Sequence, residues 1–584
     1  MSYTLGLATM DNSAAALFHE GQLVAAVENE RLSRIKNDGG FPWLAIDECL
    51  AMAGITAAQI DHIAVYWQPW RLATRGFGTL RKMAGSPHAR SAIAARARQM
   101  FVSAPDTPDG EVSGSWSDLF RLRRLLRDRF GPIAAKISFH DHHLCHQLYA
   151  EAMRDWDDFV SLSYDGGGEE NSTVLHVVRD GKRELISRHR WPNSLGHYYS
   201  VFTGYLGFKM LEGEYKMMGL APYGTPVYRD ALQEHALRLL PGGRYALNTR
   251  LCDYHAALKG IFPDEMERHF GPRRAPDAEP EQCHVDLATS VQQVHEDAVE
   301  HLLAPLRDSH PDLRRLVISG GCALNVTANG KLLAKGVFDE IIIPPAPHDA
   351  GCAIGAAMAD LAARGISAAP EPVRAPYLGR GYSVPEIESA IAAAGLPVPE
   401  ALPEDALVNK TAQMLADGLV IAWFQDRSEF GPRALGSRSF LADPRRDEMR
   451  EELNRKIKKR EIFRPFAPSV AEEAASTFFE IDQPSPYMNI VARVRDDKAE
   501  AIPAVTHVDQ TARVHSVSAA ANPLYHALLT RFGELTGVPV LLNTSFNIQE
   551  PIVHSPADAL ATFRASGVDA LVIGPYIVTR EALE

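Results

Sequence analysis

Phe159-Val160-Ser161-Leu162-Ser163-Tyr164 followed by Asp165-Gly166-Gly167-Gly168 reads as a buried strand entering an acidic, glycine-rich turn. A second strand follows over 173–178, then an Asp180-Gly181 turn and a third strand from Glu184, so the segment closes as a hairpin. The same order opens the chain. A strand over 3–8 leads into the polar turn Thr9-Met10-Asp11-Asn12 and a hairpin, 14–18 and 23–28, around Glu20-Gly21. Strand, acidic turn and hairpin, met twice, predict a duplicated topology; two unrelated hairpins are the alternative.

Such a duplication resembles the actin, sugar-kinase and Hsp70 architecture, in which phosphates lie between two related lobes. The expected class is α/β, with a duplicated actin-like N-terminal domain over 1–368, a linker over 369–376 marked by Pro370, Pro372 and Pro376, and a second α/β domain over 377–584. At 584 residues there is material for more than one core. Apolar residues at 46% and charged ones at 23% exclude a disordered or fibrous chain. A net charge of −13 argues against a broad nucleic-acid footprint, so any anion site must be local. Apolar runs fall short of a membrane span. Six scattered cysteines and the lack of a leader-like start predict a cytoplasmic chain with free thiols. Residues 71–130 carry 12 Lys or Arg against 5 Asp or Glu, and Arg121 to Phe130 interleaves cations with Leu122, Leu125 and Leu126. This predicts a solvated, helical insertion.

Four segments carry chemistry. In His140-Asp141-His142-His143-Leu144-Cys145-His146, His142 and His146 stand four apart, so a helix puts both imidazoles on one face. Asp165 and Asp349 could complete a metal site; this donor set suits Fe(II), Mn(II) or Zn(II) alike. Histidines on a helix are otherwise surface or hydrogen-bonded groups. Leu316 to Ser319 enters the turn Gly320-Gly321 before Asn325, a form able to cradle phosphate and equally able to serve tight packing. The small-residue helix after Asp349 has the same two readings. Residues 427–464 hold 12 Lys or Arg against 7 Asp or Glu, several in turns such as Gly431-Pro432-Arg433-Ala434-Leu435-Gly436-Ser437-Arg438. Guanidinium groups converging from turns grip phosphate bidentately. No P-loop, nucleophile elbow or zincin helix is present.

Taken together, the histidine helix, Asp165-Gly166, Lys216-Met217-Met218-Gly219-Leu220-Ala221-Pro222-Tyr223-Gly224, Ser319-Gly320-Gly321 with Asn325, the Gly431 to Gly436 segment, Arg464-Pro465-Phe466-Ala467-Pro468, Thr506 to Arg513 and Asn543-Thr544-Ser545-Phe546-Asn547 resemble the O-carbamoyltransferases of the NodU/CmcH/TobZ family over nearly the whole chain. The resemblance implies a YrdC-like second domain that converts carbamoyl phosphate and ATP, with magnesium, to carbamoyl adenylate. The actin-like domain then hands the carbamoyl group to a hydroxylated small molecule, such as a natural product of antibiotic biosynthesis, along an enclosed route. Carried over to this sequence, Arg433, Arg438, Lys458, Arg464, Arg513, Ser545 and Asn547 bind carbamoyl phosphate and nucleotide phosphates. Gly320, Gly321 and Asn325 bind the adenylate. His142, His146, Asp165 and Asp349 hold a divalent metal, iron before manganese or zinc, and His142, Asp165, Lys458 and Arg513 are the catalytic set. No nucleic acid or membrane partner is expected.

The sequence departs from the family at Met10-Asp11, where the family places a histidine before the aspartate. Asp11, His143, His197 and His348 are candidates to replace it. Ile548-Gln549-Glu550-Pro551 is shorter than the family pattern. Competing readings are a threonylcarbamoyl-type tRNA-modifying enzyme and a non-catalytic, nucleotide-gated actin-like binding protein.

Overall fold

Leu5, Leu7 and Ala8 in one strand, and Leu162 and Tyr164 in another, are fully excluded from solvent, and each strand is the middle one of a five-stranded sheet. The computed structural model describes residues 2–71, 116–461 and 463–583. The first sheet runs β3-β2-β1-β4-β5, with β1 at Tyr3–Ala8, β2 at Ala14–His19, β3 at Gln22–Glu28, β4 at Ile60–Val65 and β5 at Lys136–Phe139. A later sheet uses β6 (Phe159–Tyr164), β7 (Asn171–Arg179), β8 (Lys182–Arg190), β11 (Arg315–Ser319) and β12 (Glu340–Ile342) in the order β12-β11-β6-β7-β8. Between them β9 (Leu237–Leu240) and β10 (Arg244–Leu247) form a separate hairpin.

Polarity matches strand for strand. β1 and β2, and β2 and β3, pair antiparallel, whereas β4 and β5 continue in parallel from β1. β6, β7 and β8 are antiparallel and β11 and β12 parallel in the same way. The duplication read from two acidic turns is therefore present in the hydrogen-bond register, as the actin-like reading expects. The helix Cys352–Ala363 packs against the helix His142–Glu151 so closely that a Cβ on Gly355 would lie 1.9 Å from the Cys145 carbonyl oxygen. At this point its small residues serve helix packing.

The chain divides into two units, Met1–Asn29 with Asn37–Arg374 and Glu30–Lys36 with Ala375–Glu584. The division between Arg374 and Ala375 lies within residues 369–376, where the linker was expected, whereas the grouping of Glu30–Lys36 with the second unit was not expected. Pro370–Arg374 is a short helix of the first unit. Arg374 ties it there by donating to the Ala152 carbonyl (2.9 Å) and pairing with Asp155 (2.6 Å). Glu30–Lys36 belongs with the second unit because its cations donate to that unit's carbonyls: Arg31 to Gly431 (2.5 Å), Arg34 to Ile552 and Pro551 (2.7 Å each) and Lys36 to Gln549 (3.2 Å).

The second unit is a seven-stranded mixed sheet ordered β18-β15-β19-β14-β13-β20-β21. Its strands are β13 (Ile421–Phe424), β14 (Arg438–Ala442), β15 (Ala467–Ala471), β18 (His515–Val517), β19 (Val540–Ser545), β20 (Ala570–Ile573) and β21 (Tyr576–Thr579), with β16 (Val491–Arg493) and β17 (Thr511–Arg513) paired apart from it. Trp423, Leu441, Leu541 and Val572 on the sheet bury against the helices Glu404–Ala416 and Pro523–Thr536. In the basic insertion, the helix Trp116–Phe130 buries Leu119, Leu122 and Leu126 and exposes its arginines; residues 72–115 of the expected insertion lie outside the described residues. The cysteines are free thiols. Among the described residues no helix is long and apolar enough to cross a membrane.

Candidate functional site

Asp141 begins the histidine helix by accepting the Leu144 N–H (3.0 Å), which fixes the register that turns His142 and His146 to one side. Their Nε2 atoms lie 3.2 Å apart. Asp165 Oδ2 is 3.1 Å from His142 Nε2 and 4.0 Å from His146 Nε2; Asp349 Oδ1 is 3.9 and 3.4 Å from the same atoms. A tetrahedral ion with bonds of about 2.0–2.1 Å needs donor atoms about 3.3–3.4 Å apart. The imidazole–imidazole and imidazole–carboxylate separations therefore fit a divalent ion with sub-ångström adjustment, and the two carboxylate oxygens lie within 4.8 Å of each other. The Pro347 carbonyl hydrogen-bonds the His146 ring, as metal-binding imidazoles are commonly braced.

Electrostatics agree with that need for positive charge. Burial pushes Asp349 up to about 8, and the neighbouring Asp165 and Asp11 add to the rise. Burial also acts to raise Asp165, but the hydrogen bond from His142 and the charges of His146, His142 and His143 override it and leave Asp165 well below the carboxylate range. Burial drives His146 down to about 4. The Tyr66 hydroxyl, which the sequence reading missed, stands 2.8 Å from the Met10 carbonyl and 3.1 Å from Asp349 Oδ2. No periodicity marks it, because it lies just beyond a strand end 283 residues from its acceptor.

The glycine turn reaches the same place by another route. Gly320 has φ +90°, and a Cβ there would sit 2.1 Å from the Tyr164 carbonyl oxygen, while the Gly321 N–H donates to Asp165 Oδ1 (2.9 Å). Asn325 is set differently from its expected role with adenylate. Its Oδ1 caps the helix Val326–Ala334 through the Ala328 N–H (3.1 Å), and its amide exchanges two 3.0 Å hydrogen bonds with Gln292. That geometry makes Asn325 a cap and a brace.

Of the candidates to replace the family histidine, His143 places its ring nitrogens against Ser163 Oγ (2.8 Å) and the Asn171 carbonyl (3.0 Å). His348 pairs with Glu28 (3.3 Å). Asp11 is exposed in its turn. His197 stacks on Tyr254 with ring centres 3.8 Å apart, close to Gly166.

In the second unit the structure gathers cations. Arg513 is held well below the arginine range by burial and by Arg433, Arg460 and Arg464 around it. Lys458 is buried and depressed by burial and by Arg460, Arg464 and Lys36, with Glu550 opposing. Its ammonium contacts Ser545 O (2.5 Å) and Oγ (3.2 Å) and Asn547 O and Oδ1 (2.8 Å each), so it fixes the end of β19. Like charges crowded in low dielectric destabilise one another unless an anion joins them. Arg460 and Lys36 enlarge the expected set; Lys36 lies more than 400 residues away in sequence, so local composition gave no signal. Arg438, expected to bind phosphate, is engaged by protein carbonyls. Its guanidinium donates to the carbonyls of Gln425 (2.5 Å), Ser437 (3.0 Å) and Asp426 (2.9 Å) and stacks 3.6 Å from the Phe424 ring centre.

Several known proteins match this chain over most of its length. The family description "Carbamoyltransferase N-terminus" matches residues 3–77 and 120–358, and "Carbamoyltransferase C-terminus" matches residues 412–580. The chain is 37% identical to an uncharacterized protein of Synechocystis sp. over 100% of this chain and 97% of that one. It is 39% identical to nodulation protein NolNO of Sinorhizobium fredii, covering 98% and 79%. It is 28% identical to 3'-hydroxymethylcephem-O-carbamoyltransferase of Amycolatopsis lactamdurans, covering 80% and 88%. The chain therefore belongs to the carbamoyltransferase family and is an enzyme of that class.

Proposed function

We propose that this enzyme makes carbamoyl adenylate in a YrdC-like second unit and transfers its carbamoyl group to a hydroxyl of a small molecule in the first. Hydrolysis of carbamoyl phosphate yields phosphate and carbamate. A carbamate oxygen attacks the α-phosphorus of ATP, the α–β bridging bond breaks and pyrophosphate leaves. The acceptor oxygen then attacks the carbamoyl carbon, AMP departs with the bonding pair, and the hydroxyl proton passes to base or solvent. The observation that carries this reading is the cluster of Arg433, Arg460, Arg464 and Arg513 beside Lys458, a charge density suited to a dianionic phosphate and a triphosphate.

Arg513 and Arg464 bind and orient the phosphates, and Lys458 holds Ser545 and Asn547 in place beside them. In the first unit, His142, His146, Asp165 and Asp349 would hold a divalent ion, iron first; magnesium would accompany ATP. The ion would supply Lewis acidity toward the carbamoyl oxygen. Gly321 and Tyr66 orient Asp165 and Asp349 by hydrogen bonds. The hydroxymethylcephem named for one relative supports a small hydroxylated acceptor such as a natural product.

The test separates two half-reactions. Arg513→Ala is expected to lower carbamoyl-phosphate-dependent pyrophosphate release by about 10²- to 10³-fold while leaving transfer from supplied carbamoyl adenylate intact. His142→Ala is expected to do the reverse. Equal loss of both half-reactions in both variants would contradict the assignment.

A further inference from the structure

Four aromatic rings gather beside the turn that carries Asp165. Strand β8 ends at Arg190, and the next residue, Trp191, donates its backbone N–H to the Glu170 carbonyl (2.9 Å). Ser194 then donates its hydroxyl to the Asp165 carbonyl (2.9 Å) and accepts the His197 N–H (3.1 Å), which opens the helix Leu195–Tyr205 against the turn. The fit is close. A Cβ on Gly196 would lie 3.1 Å from the Gly166 Cα, and a Cβ on Gly166 would lie 3.8 Å from the His197 ring. His197 is buried and stacks on Tyr254, with ring centres 3.8 Å apart and planes inclined by 12°. Trp191 meets His197 edge-on at 6.2 Å and His255 at 6.1 Å, and His255 lies 5.5 Å from Tyr254. Asp253 fixes the helix Tyr254–Ala257 by accepting the His255 and Ala256 N–H groups (3.1 and 3.2 Å). Trp191, Tyr254 and His255 are only partly buried.

We propose that Trp191, His197, Tyr254 and His255 form the acceptor wall of the first unit, and that the acceptor is a hydroxylated ring of the pyranose or cyclitol kind, lying against these aromatic side chains with one hydroxyl turned toward the Asp165 turn. The inference rests on the transfer reading given above. Successive Cα atoms are about 3.8 Å apart, so a wall that touches Gly166 begins about one residue from Asp165. A core built only for packing would bury all four rings, whereas three of them keep part of their surface in solvent. The electron-rich faces of aromatic rings attract the positively polarised C–H groups that a saturated, hydroxylated ring presents, and the Tyr254 hydroxyl can pair with its hydroxyls. An acyclic alcohol has no comparable face. The wall makes and breaks no bond; it positions the acceptor and selects for its shape.

Saturation-transfer difference NMR on the full chain reads such contacts directly, with methyl α-glucopyranoside, myo-inositol and glycerol as probes. The ring C–H protons of the first two are expected to be saturated, and those of glycerol far less. Trp191→Ala and Tyr254→Ala are each expected to weaken binding of the ring probes about tenfold, whereas Trp191→Phe and Tyr254→Phe keep most of it. Phe120→Ala, which removes an exposed ring from the helix Trp116–Phe130, is expected to leave it unchanged. Thermal melts monitor folding, and Tyr254→Ala, on a one-turn helix, carries the test where Trp191→Ala unfolds. Absence of ring saturation in the wild-type chain, equal saturation of glycerol, or undiminished binding in the folded alanine variants would overturn the proposal. Failure of the transfer reading shows differently: supplied carbamoyl adenylate would give no carbamoylated alcohol with any probe, while ring binding and its loss in the alanine variants persist.

Discussion

Glu429 is buried, and its Oε1 accepts the backbone N–H groups of Leu435 (2.8 Å), Ser437 (2.8 Å) and Arg438 (3.0 Å). One carboxylate oxygen thereby shapes the loop that carries Arg433. Glu429→Ala strands three buried donors, each worth about 1–3 kcal/mol when left unpaired. It is expected to destabilise the second unit by about 3 kcal/mol or more in urea unfolding and to weaken carbamoyl phosphate binding. Glu429→Gln keeps one acceptor oxygen and is expected to recover most of the stability. At this scale the sequence was legible where chemistry is local. The i, i+4 spacing put His142 and His146 on one face, and cations beside turn formers pointed to the cluster around Arg513. It was silent where a residue's partner is remote. Asn325 and Arg438 stand in motif positions, but Gln292 and the carbonyls around Phe424 occupy their polar groups, and no short-range pattern announces those partners.

Among elements, the turn after β11 is the most constrained. Gly320 combines φ +90° with an approach to the Tyr164 carbonyl that leaves no room for a methyl group. Left-handed backbone strain for a residue with a Cβ amounts to about 1–3 kcal/mol, before the clash is added. Gly320→Ala is therefore expected to lower the thermal midpoint of the first unit by several degrees and to displace Asp165, measured as weaker Co(II) binding; an unchanged midpoint would show that the turn relaxes. The strands that flank such turns were readable because apolar runs bounded by glycine and aspartate have little else to become. The two hairpins emerged within two residues of their expected ends. Strand order was harder to read: β11 pairs with β6 across roughly 150 residues and carries β12 on its other edge, which period-2 patterning does not encode.

Over the whole molecule, buried neutral histidines set the response to acid. Burial lowers His295 in the first unit to about 4 and His515 in the second to about 3, and the latter pairs with Ser469 Oγ (2.8 Å). Each is neutral when folded and takes a proton when unfolded near pH 6.5, so the unfolded chain binds more protons as pH falls. Stability is full above about pH 6.5 and declines below it, by about 1.4 kcal/mol per pH unit for each such histidine. His515→Asn is expected to flatten the slope of urea-unfolding stability by about that amount between about pH 6 and pH 4.5; an unchanged slope would show that His515 already protonates in the fold. The assignment of Glu30–Lys36 to the second unit belongs to this scale as well. Its charged composition sets it apart from the apolar strand before it, but only its distant carbonyl partners reveal where it folds.

The central claim is that ATP is cleaved to AMP because carbamate has attacked its α-phosphorus. It is tested by incubating the purified chain with ATP and carbamoyl phosphate, together and singly, without acceptor, and measuring phosphate and pyrophosphate. Equal amounts of both are expected, with pyrophosphate formed only when both substrates are present. Pyrophosphate release without carbamoyl phosphate, or ADP in place of pyrophosphate, would contradict it.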